Sequence, residues 1–255
     1  MEFTVTATTD VGRTKNVNQD CMSVMELNTC QGKMAFAVLC DGMGGLSQGE
    51  VASASVVRAF RNWVCKDLPV LCKAPIEDAV LRKQWERIVF EQDALLNQYA
   101  DRRNIKGGTT VVAILLTQNR YYIVNVGDSR VYEINDSIRQ LTRDHTLAEQ
   151  EIEKGRLTKE EARTHKYSNV LTQSVGTPDP MQPDIFFGVP KPGTVFMLCS
   201  DGFRNQLTED EMYKAMNPGR LRDRMGMKRT SEQLIQLVKD RRERDNISVA
   251  LIRTY

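Results

Sequence analysis

The chain has 255 residues, 41% hydrophobic and 27% charged, which suits a globular protein with a substantial core and excludes intrinsic disorder. Thirty-five basic against 33 acidic residues leave a net charge of +2, so no overall field would draw it to nucleic acid or an anionic membrane. No apolar run approaches the ~20 residues of a membrane span, and the opening MEFTVTATTD lacks the basic-then-apolar order of a secretion signal. The six cysteines, at 21, 30, 40, 65, 72 and 199, include no Cys-x-x-Cys pair. They read as reduced thiols of a cytoplasmic protein, not as a disulfide or zinc framework.

Thr4 to Ala7 and Cys21 to Leu27 alternate as strands, and the continuous apolar run Met34 to Cys40 predicts a fully buried strand. Gln48 to Val64 predicts a helix with Val51, Ala52, Ser55, Val56, Ala59, Phe60 and Val64 on one face. After a break from Pro69 to Pro75, Ile76 to Arg103 predicts another through Leu81, Trp85, Ile88, Val89, Leu95, Leu96 and Tyr99. Strands return at Thr109 to Leu116, Tyr121 to Val126 and Val131 to Ile134; the turn Gly127-Asp128-Ser129 predicts that the last two form a hairpin. The polar stretch from Thr146 to about Asn169, with caps at Thr146/Glu149 and Thr158/Glu161, predicts a compact helical insertion, a candidate flap over 146–169.

Thr194 to Cys199 predicts another buried strand, Thr208/Glu211 and Thr230/Gln233 two helix caps, and Ile247 to Ile252 the final strand. Strands and helices are grouped, not alternating, so the expected architecture is α+β with layered antiparallel sheets. No linker-like stretch divides residues 1–255, which predicts one domain. The basic segments Arg220 to Arg229 and Lys239 to Arg244 are expected to be solvated surface.

Two apolar strands end alike, one at Asp41-Gly42 and the other at Ser200-Asp201-Gly202. A carboxylate at the end of a rigid strand is a well-placed ligand for a hard cation, and the glycine lets the backbone carbonyl approach it. Asp20, Asp128 and Asp245 have comparable placements. If all five converge, that density of negative charge must be relieved by raised pKa values or by bound cations. Oxygen ligands without histidine or cysteine favour Mg2+ or Mn2+. Two such ions sharing a carboxylate hold a bridging water and neutralise a phosphoryl group, which implies phosphate ester hydrolysis without a covalent enzyme intermediate. Taken singly, each Asp-Gly is an ordinary turn dipeptide.

In order the chain carries Asp10-Val11-Gly12-Arg13-Thr14-Lys15-Asn16-Val17-Asn18-Gln19-Asp20, Asp41-Gly42-Met43-Gly44-Gly45, Gly107-Gly108-Thr109-Thr110 and Asn125-Val126-Gly127-Asp128-Ser129-Arg130. Leu141-Thr142-Arg143-Asp144-His145, Ser200-Asp201-Gly202 and Asp245-Asn246 follow. The series resembles the metal-dependent Ser/Thr protein phosphatases of the protein phosphatase 2C (PPM) family in their bacterial form, from about residue 4 to residue 252. Each block is short, and the ordered set is specific.

The resemblance implies a four-layer α-β-β-α sandwich, two antiparallel sheets flanked by helices, with a dinuclear Mn2+ or Mg2+ centre at one end. By position, Asp41 would bridge both ions, the Gly42 carbonyl would ligate one, and Asp201 and Asp245 would hold the other. Asp20 would act through bound water, and Asp128 would join Asp201 around a weaker third ion. The implied reaction is hydrolysis of phosphoserine and phosphothreonine by a metal-bridging water, with phosphoproteins as substrates and a bacterial Ser/Thr kinase and its targets as partners.

Two positions depart from the family. Lys15 stands where an arginine often grips the substrate phosphate, and it keeps the charge but loses the bidentate fork. Arg13 is the alternative grip, on the opposite face of an extended segment. Met43 replaces the histidine that eukaryotic members offer as a general acid, and it has no proton to donate. His145 and His165 are expected to be structural. A dinucleotide loop at Gly42 fails, because Ser47 occupies the last glycine position. Two other readings stand at this point: a non-catalytic phosphoprotein adaptor, favoured only by Lys15, and a phosphatase acting on a small molecule or a phosphorylated transcriptional regulator.

Overall fold

The computed structural model describes residues 1–44, 48–163, 165–178 and 180–255. Gly45 and Ser47 of the glycine-rich segment, and Thr164 within the expected flap, lie outside the described residues. The chain opens with β1 (Phe3–Asp10), β2 (Asp20–Thr29) and β3 (Gly32–Gly44), then α1 (Gln48–Lys66), α2 (Leu68–Leu71) and α3 (Asp78–Arg103). Next come β4 (Gly107–Thr109), β5 (Val111–Leu116), β6 (Tyr121–Val126), β7 (Arg130–Ile134) and β8 (Ile138–Gln140). Helices α4 (Leu147–Glu153) and α5 (Lys159–Arg163) lead to β9 (Asp184–Gly188) and β10 (Val195–Cys199). Finally α6 (Asp201–Arg204), α7 (Glu209–Met216) and α8 (Arg224–Asp240) precede β11 (Ile247–Thr254).

The strands form two antiparallel sheets, one ordered β1-β11-β10-β7-β8 and the other β2-β3-β5-β6-β9 with β4 beside β3. Parity along the apolar strands builds the layers, because successive side chains point to opposite faces. In β3, Met34, Phe36, Val38 and Cys40 pack with α1 and α3, while Ala35, Ala37 and Leu39 face the other sheet. In β10, Val195, Met197 and Cys199 pack with α7 and α8, while Phe196 and Leu198 complete the core between the sheets. The result is the α-β-β-α sandwich. Among the described residues no helix is long and apolar enough to cross a membrane, and all six cysteines are free thiols.

Register gives the sandwich two distinct ends. At one, Phe3 pairs with Thr254, and Glu2 and Tyr255 exchange main-chain hydrogen bonds. At the other, Asp10 pairs with Ile247, Cys199 with Val249 and Arg130, and Asp20 with Asp41.

Several expectations are corrected. The turn at Gly127–Ser129 is not a hairpin: β6 belongs to one sheet and β7 to the other, so the turn carries the chain across the sandwich. Local turn chemistry is the same for both outcomes, and only packing separates them. The Thr230/Gln233 cap is also absent. Helix α8 starts earlier, where Asp223 accepts from the Gly226 N–H at 2.7 Å, and Thr230 lies inside the helix. Helix α1 is rotated from its expected face: Val51 is 39% exposed, while Ser53, Val57 and Trp63 are buried. Ser53 donates to the Gln19 carbonyl at 2.6 Å, a polar anchor that a hydropathy pattern does not register. On α3, Leu95 is exposed where burial was expected. The run from Thr109 breaks at Thr110 into β4 and β5, and Asp41 and Gly42 lie within β3, not beyond its end. The caps at Thr146, Thr158 and Thr208 form as expected. The short strands β8 and β9 were not anticipated.

Candidate active site

The five aspartates meet at the second end of the sandwich from both sheets. Asp20 and Asp41 are directly opposed on β2 and β3, a placement that sets side chains about 5 Å apart and is unfavourable for like charges. The Asp41 backbone is clamped: its N–H donates to Thr110 Oγ1 at 2.9 Å, and its carbonyl accepts from the Thr110 N–H at 2.8 Å and the Thr109 hydroxyl at 2.9 Å. Thr110 in turn shares a 2.9 Å hydroxyl contact with Ser129, beside Asp128. From the other sheet come Asp201, first residue of α6, and Asp245, two residues before β11.

Their electrostatics show the crowding. Burial first, then Asp20, Asp201, Asp128 and Asp245, push the Asp41 pKa well above the carboxylate range. Burial raises Asp20 to about 7; the Ser248 and Ser200 hydroxyls pull against it, and Asp201 and Asp245 add to it. Asp201 is raised by burial and by Asp245 and Glu243, against the pull of Arg204. Neither oxygen of Asp20, nor Oδ1 of Asp201, has a hydrogen-bond partner of ordinary geometry, although these atoms are buried. Buried carboxylate oxygens without donors are costly, and a hard divalent cation satisfies them. The donor set therefore fits Mg2+ or Mn2+. Among the described residues, no group of three or more histidine, cysteine, aspartate or glutamate side chains is arranged so that it could hold a metal ion.

Glycines fix the backbones beside Asp41 and Asp201. A Cβ at Gly42 would collide with the carbonyl oxygens of Gly49 and Gln19, where the start of α1 crosses β3. A Cβ at Gly202 would collide with the Asn246 carbonyl, which draws α6 against the approach to β11. Both approaches are closer than any side chain permits.

Lys15 faces this centre and Arg13 does not. Lys15 Nζ lies 2.9 Å from Asp245 Oδ1, and each side chain is 40% exposed. Burial opposes the Lys15 charge, but Asp245, Asp41 and Asp201 outweigh it and hold its pKa above the ordinary value. Arg13 pairs instead with Asp240 at 2.5 Å. The loop carrying Lys15 is pinned by Asn246: its side chain donates to the Val11 and Val17 carbonyls at 2.9 and 3.1 Å and accepts from the Gln19 N–H at 2.9 Å. That role was not read from the sequence, where Asn246 was only the neighbour of Asp245.

Asp128 is partnered differently. Arg204, at the end of α6, reaches from Nη2 to the Asp128 carbonyl at 3.1 Å, to its Oδ2 at 3.3 Å and to Asp144 Oδ2 at 3.5 Å. Arg130 holds Asp144 in a fork at 2.7 to 3.0 Å and donates to the Tyr132 hydroxyl at 2.8 Å. Burial raises Asp128 to about 7, reinforced by Asp201 and opposed by Arg204. Asp144 is held below its usual value: burial opposes this, and Arg130 and Arg204 overcome it. No spacing or motif marks Arg204 for this place.

The histidines are structural as expected. His145 is buried, accepts from the Gly127 N–H at 3.3 Å through Nδ1, and meets Asp184 Oδ2 at 3.1 Å through Nε2. It ties the Gly127–Ser129 crossing to the start of β9. His165 packs against Tyr167.

The sequence profile of the family described as protein phosphatase 2C matches residues 11–239. The chain belongs to the protein phosphatase 2C family. It is 32% identical to the Serine/threonine phosphatase stp of Listeria welshimeri, over 96% of this chain and 93% of the relative. The serine/threonine phosphatase of S. agalactiae superposes with a TM-score of 0.83 at 26% identity, covering 100% of both chains. The catalytic domain of the serine threonine protein phosphatase PstP, solved with two manganese ions, gives 0.77 at 26% identity over 98% of this chain and 97% of that one. Lys15 lies against Asp245, and Met43 lies within β3.

Proposed function

We propose that residues 1–255 form one cytoplasmic phosphatase domain that hydrolyses phosphoserine and phosphothreonine in proteins, reversing a bacterial Ser/Thr kinase and acting on its targets. The observation that carries this reading is the convergence of half-buried carboxylates from both sheets at one end of the sandwich, with the Asp20 oxygens and Asp201 Oδ1 buried and without donors. Asp20, Asp41, Asp201 and Asp245, with the Gly42 carbonyl, would hold two Mn2+ or Mg2+ ions, Asp20 acting through water. When bound, these ions supply an activated water and neutralise the phosphoryl charge. Kinship with stp and PstP supports the substrate class.

The protein's own residues do the rest. The threonine clamp on Asp41 and the Gly42 and Gly202 approaches hold the carboxylates on rigid backbone, so little reorganisation accompanies the reaction. The Lys15 ammonium, already drawn to the carboxylates, would meet the substrate phosphate as a point charge. Met43 cannot protonate the departing serine or threonine oxygen, so that proton would come from water at the centre or from another group. Helices α4 and α5, within 146–169, would form the flap that shapes access for the peptide.

The test is release of phosphate from a phosphothreonine peptide. Turnover should require added Mn2+ or Mg2+ and vanish with EDTA. Asp201→Asn should lower kcat by about 10³-fold, or about 4 kcal/mol of barrier, with an unchanged circular dichroism spectrum. Full activity in EDTA would refute the reading.

A further inference from the structure

The four charges around Asp128 form a closed set. Arg204 and Arg130 supply two guanidinium groups, and Asp128 and Asp144 two carboxylates, with Arg204 reaching both acids and Arg130 forking onto Asp144. The Arg204 side chain is only 11% exposed. A guanidinium does not lose its proton in a protein, so this charge is permanent. It also lies on the same short helix as Asp201, three residues further on, and it counters the burial of both Asp201 and Asp128. A divalent ion shared by Asp128 and Asp201 would have to sit beside this fixed cation. The contact with Asp128 is doubled, because the same Nη2 also takes the Asp128 main-chain carbonyl. The arginine thus holds the crossing turn itself as well as its carboxylate.

We infer that Arg204 takes the charge-compensating place of a third divalent ion at Asp128, so that the centre of this chain holds two ions and not three. This rests on the two-ion reading above and sets aside the third ion that the family resemblance implies: Asp128 becomes a positioning residue that ties the β6–β7 crossing to α6. A two-ion centre of this kind carries its third positive charge covalently and cannot be depleted of it by a chelator.

The experiment is equilibrium dialysis against Mn2+ with metal analysis, on the wild type, Asp128→Asn, Arg204→Met and the double variant. The wild type should saturate at two ions per chain, and Asp128→Asn should bind the same two. Arg204→Met keeps the length and apolar stem of the side chain without its charge; it should gain a third, weaker ion that the double variant loses. A wild type that binds three ions, one of them lost in Asp128→Asn, overturns the inference and leaves the phosphatase reading standing. An Arg204→Met protein that is folded and still holds only two ions overturns it as well. If Arg204→Met does not fold, the count in Asp128→Asn decides alone. A wild type that binds no Mn2+ overturns both readings together.

Discussion

Lys15 sits beside the carboxylate centre, 40% exposed, with its ammonium 2.9 Å from Asp245. Lys15→Ala should raise KM for a phosphopeptide about tenfold, or about 1.4 kcal/mol, while kcat changes less. Lys15→Arg should restore binding through its bidentate fork, and steady-state kinetics of the pair separate charge from geometry. The buried acids set a pH dependence of opposite sense to ordinary acid denaturation. Asp20 titrates at about 7 in the folded chain and near 3.9 when unfolded. The native state therefore binds more protons across that window, and the metal-free protein loses stability as pH rises through it. Carboxylates held low, such as Asp144 and Glu211, titrate below the window and do not mask it. Urea unfolding in EDTA should show a lower midpoint at about pH 7.5 than at about pH 5. Asp20→Asn should flatten the difference, and Mn2+ should restore stability most at the higher pH.

Helix boundaries and strand partners are decided by different physics. Asp223 caps α8 and Thr230 lies within it, so Asp223→Ala should cost about 1 kcal/mol. Thr230→Ala should stay within about 0.5 kcal/mol, and chemical denaturation of the two variants checks the boundary. The caps at Thr146, Thr158 and Thr208 were legible because each motif is local. The Thr230 signal was equally local and misleading, because Asp223 begins the helix seven residues earlier. The apolar runs Met34 to Cys40 and Thr194 to Cys199 were legible because burial on both faces leaves no polar position to interrupt them. The β6–β7 crossing was not: Gly127-Asp128-Ser129 has the composition of a hairpin, and its partners lie in different sheets. At the centre, the five aspartates were readable as an ordered set. Arg204 was not, because its contacts with Asp128 and Asp144 span long stretches of chain and follow no spacing rule.

The candidate metal centre draws its ligands from both sheets, so its geometry depends on the distance between them. That distance is set by the core in which Ala35, Ala37 and Leu39 meet Phe196, Leu198, Ala250 and Ile252. Ala37→Leu inserts bulk into this layer and should cost about 1–3 kcal/mol. It should also weaken Mn2+ binding measured by calorimetry, although Ala37 touches no ion. A variant that loses stability while keeping its Mn2+ affinity would show that the two sheets tolerate separation.

The far end of the sandwich has a practical consequence. The first and last strands run side by side, and the main chains of Glu2 and Tyr255 are hydrogen-bonded to each other. The length of β1, roughly 26 Å for eight extended residues, separates that junction from the carboxylates. A short peptide bridge from residue 255 to residue 1 would close this stretch of chain into a ring without stretching either strand. An anchor to a bead or a fluorophore placed there would leave the opposite pole open to its phosphorylated targets.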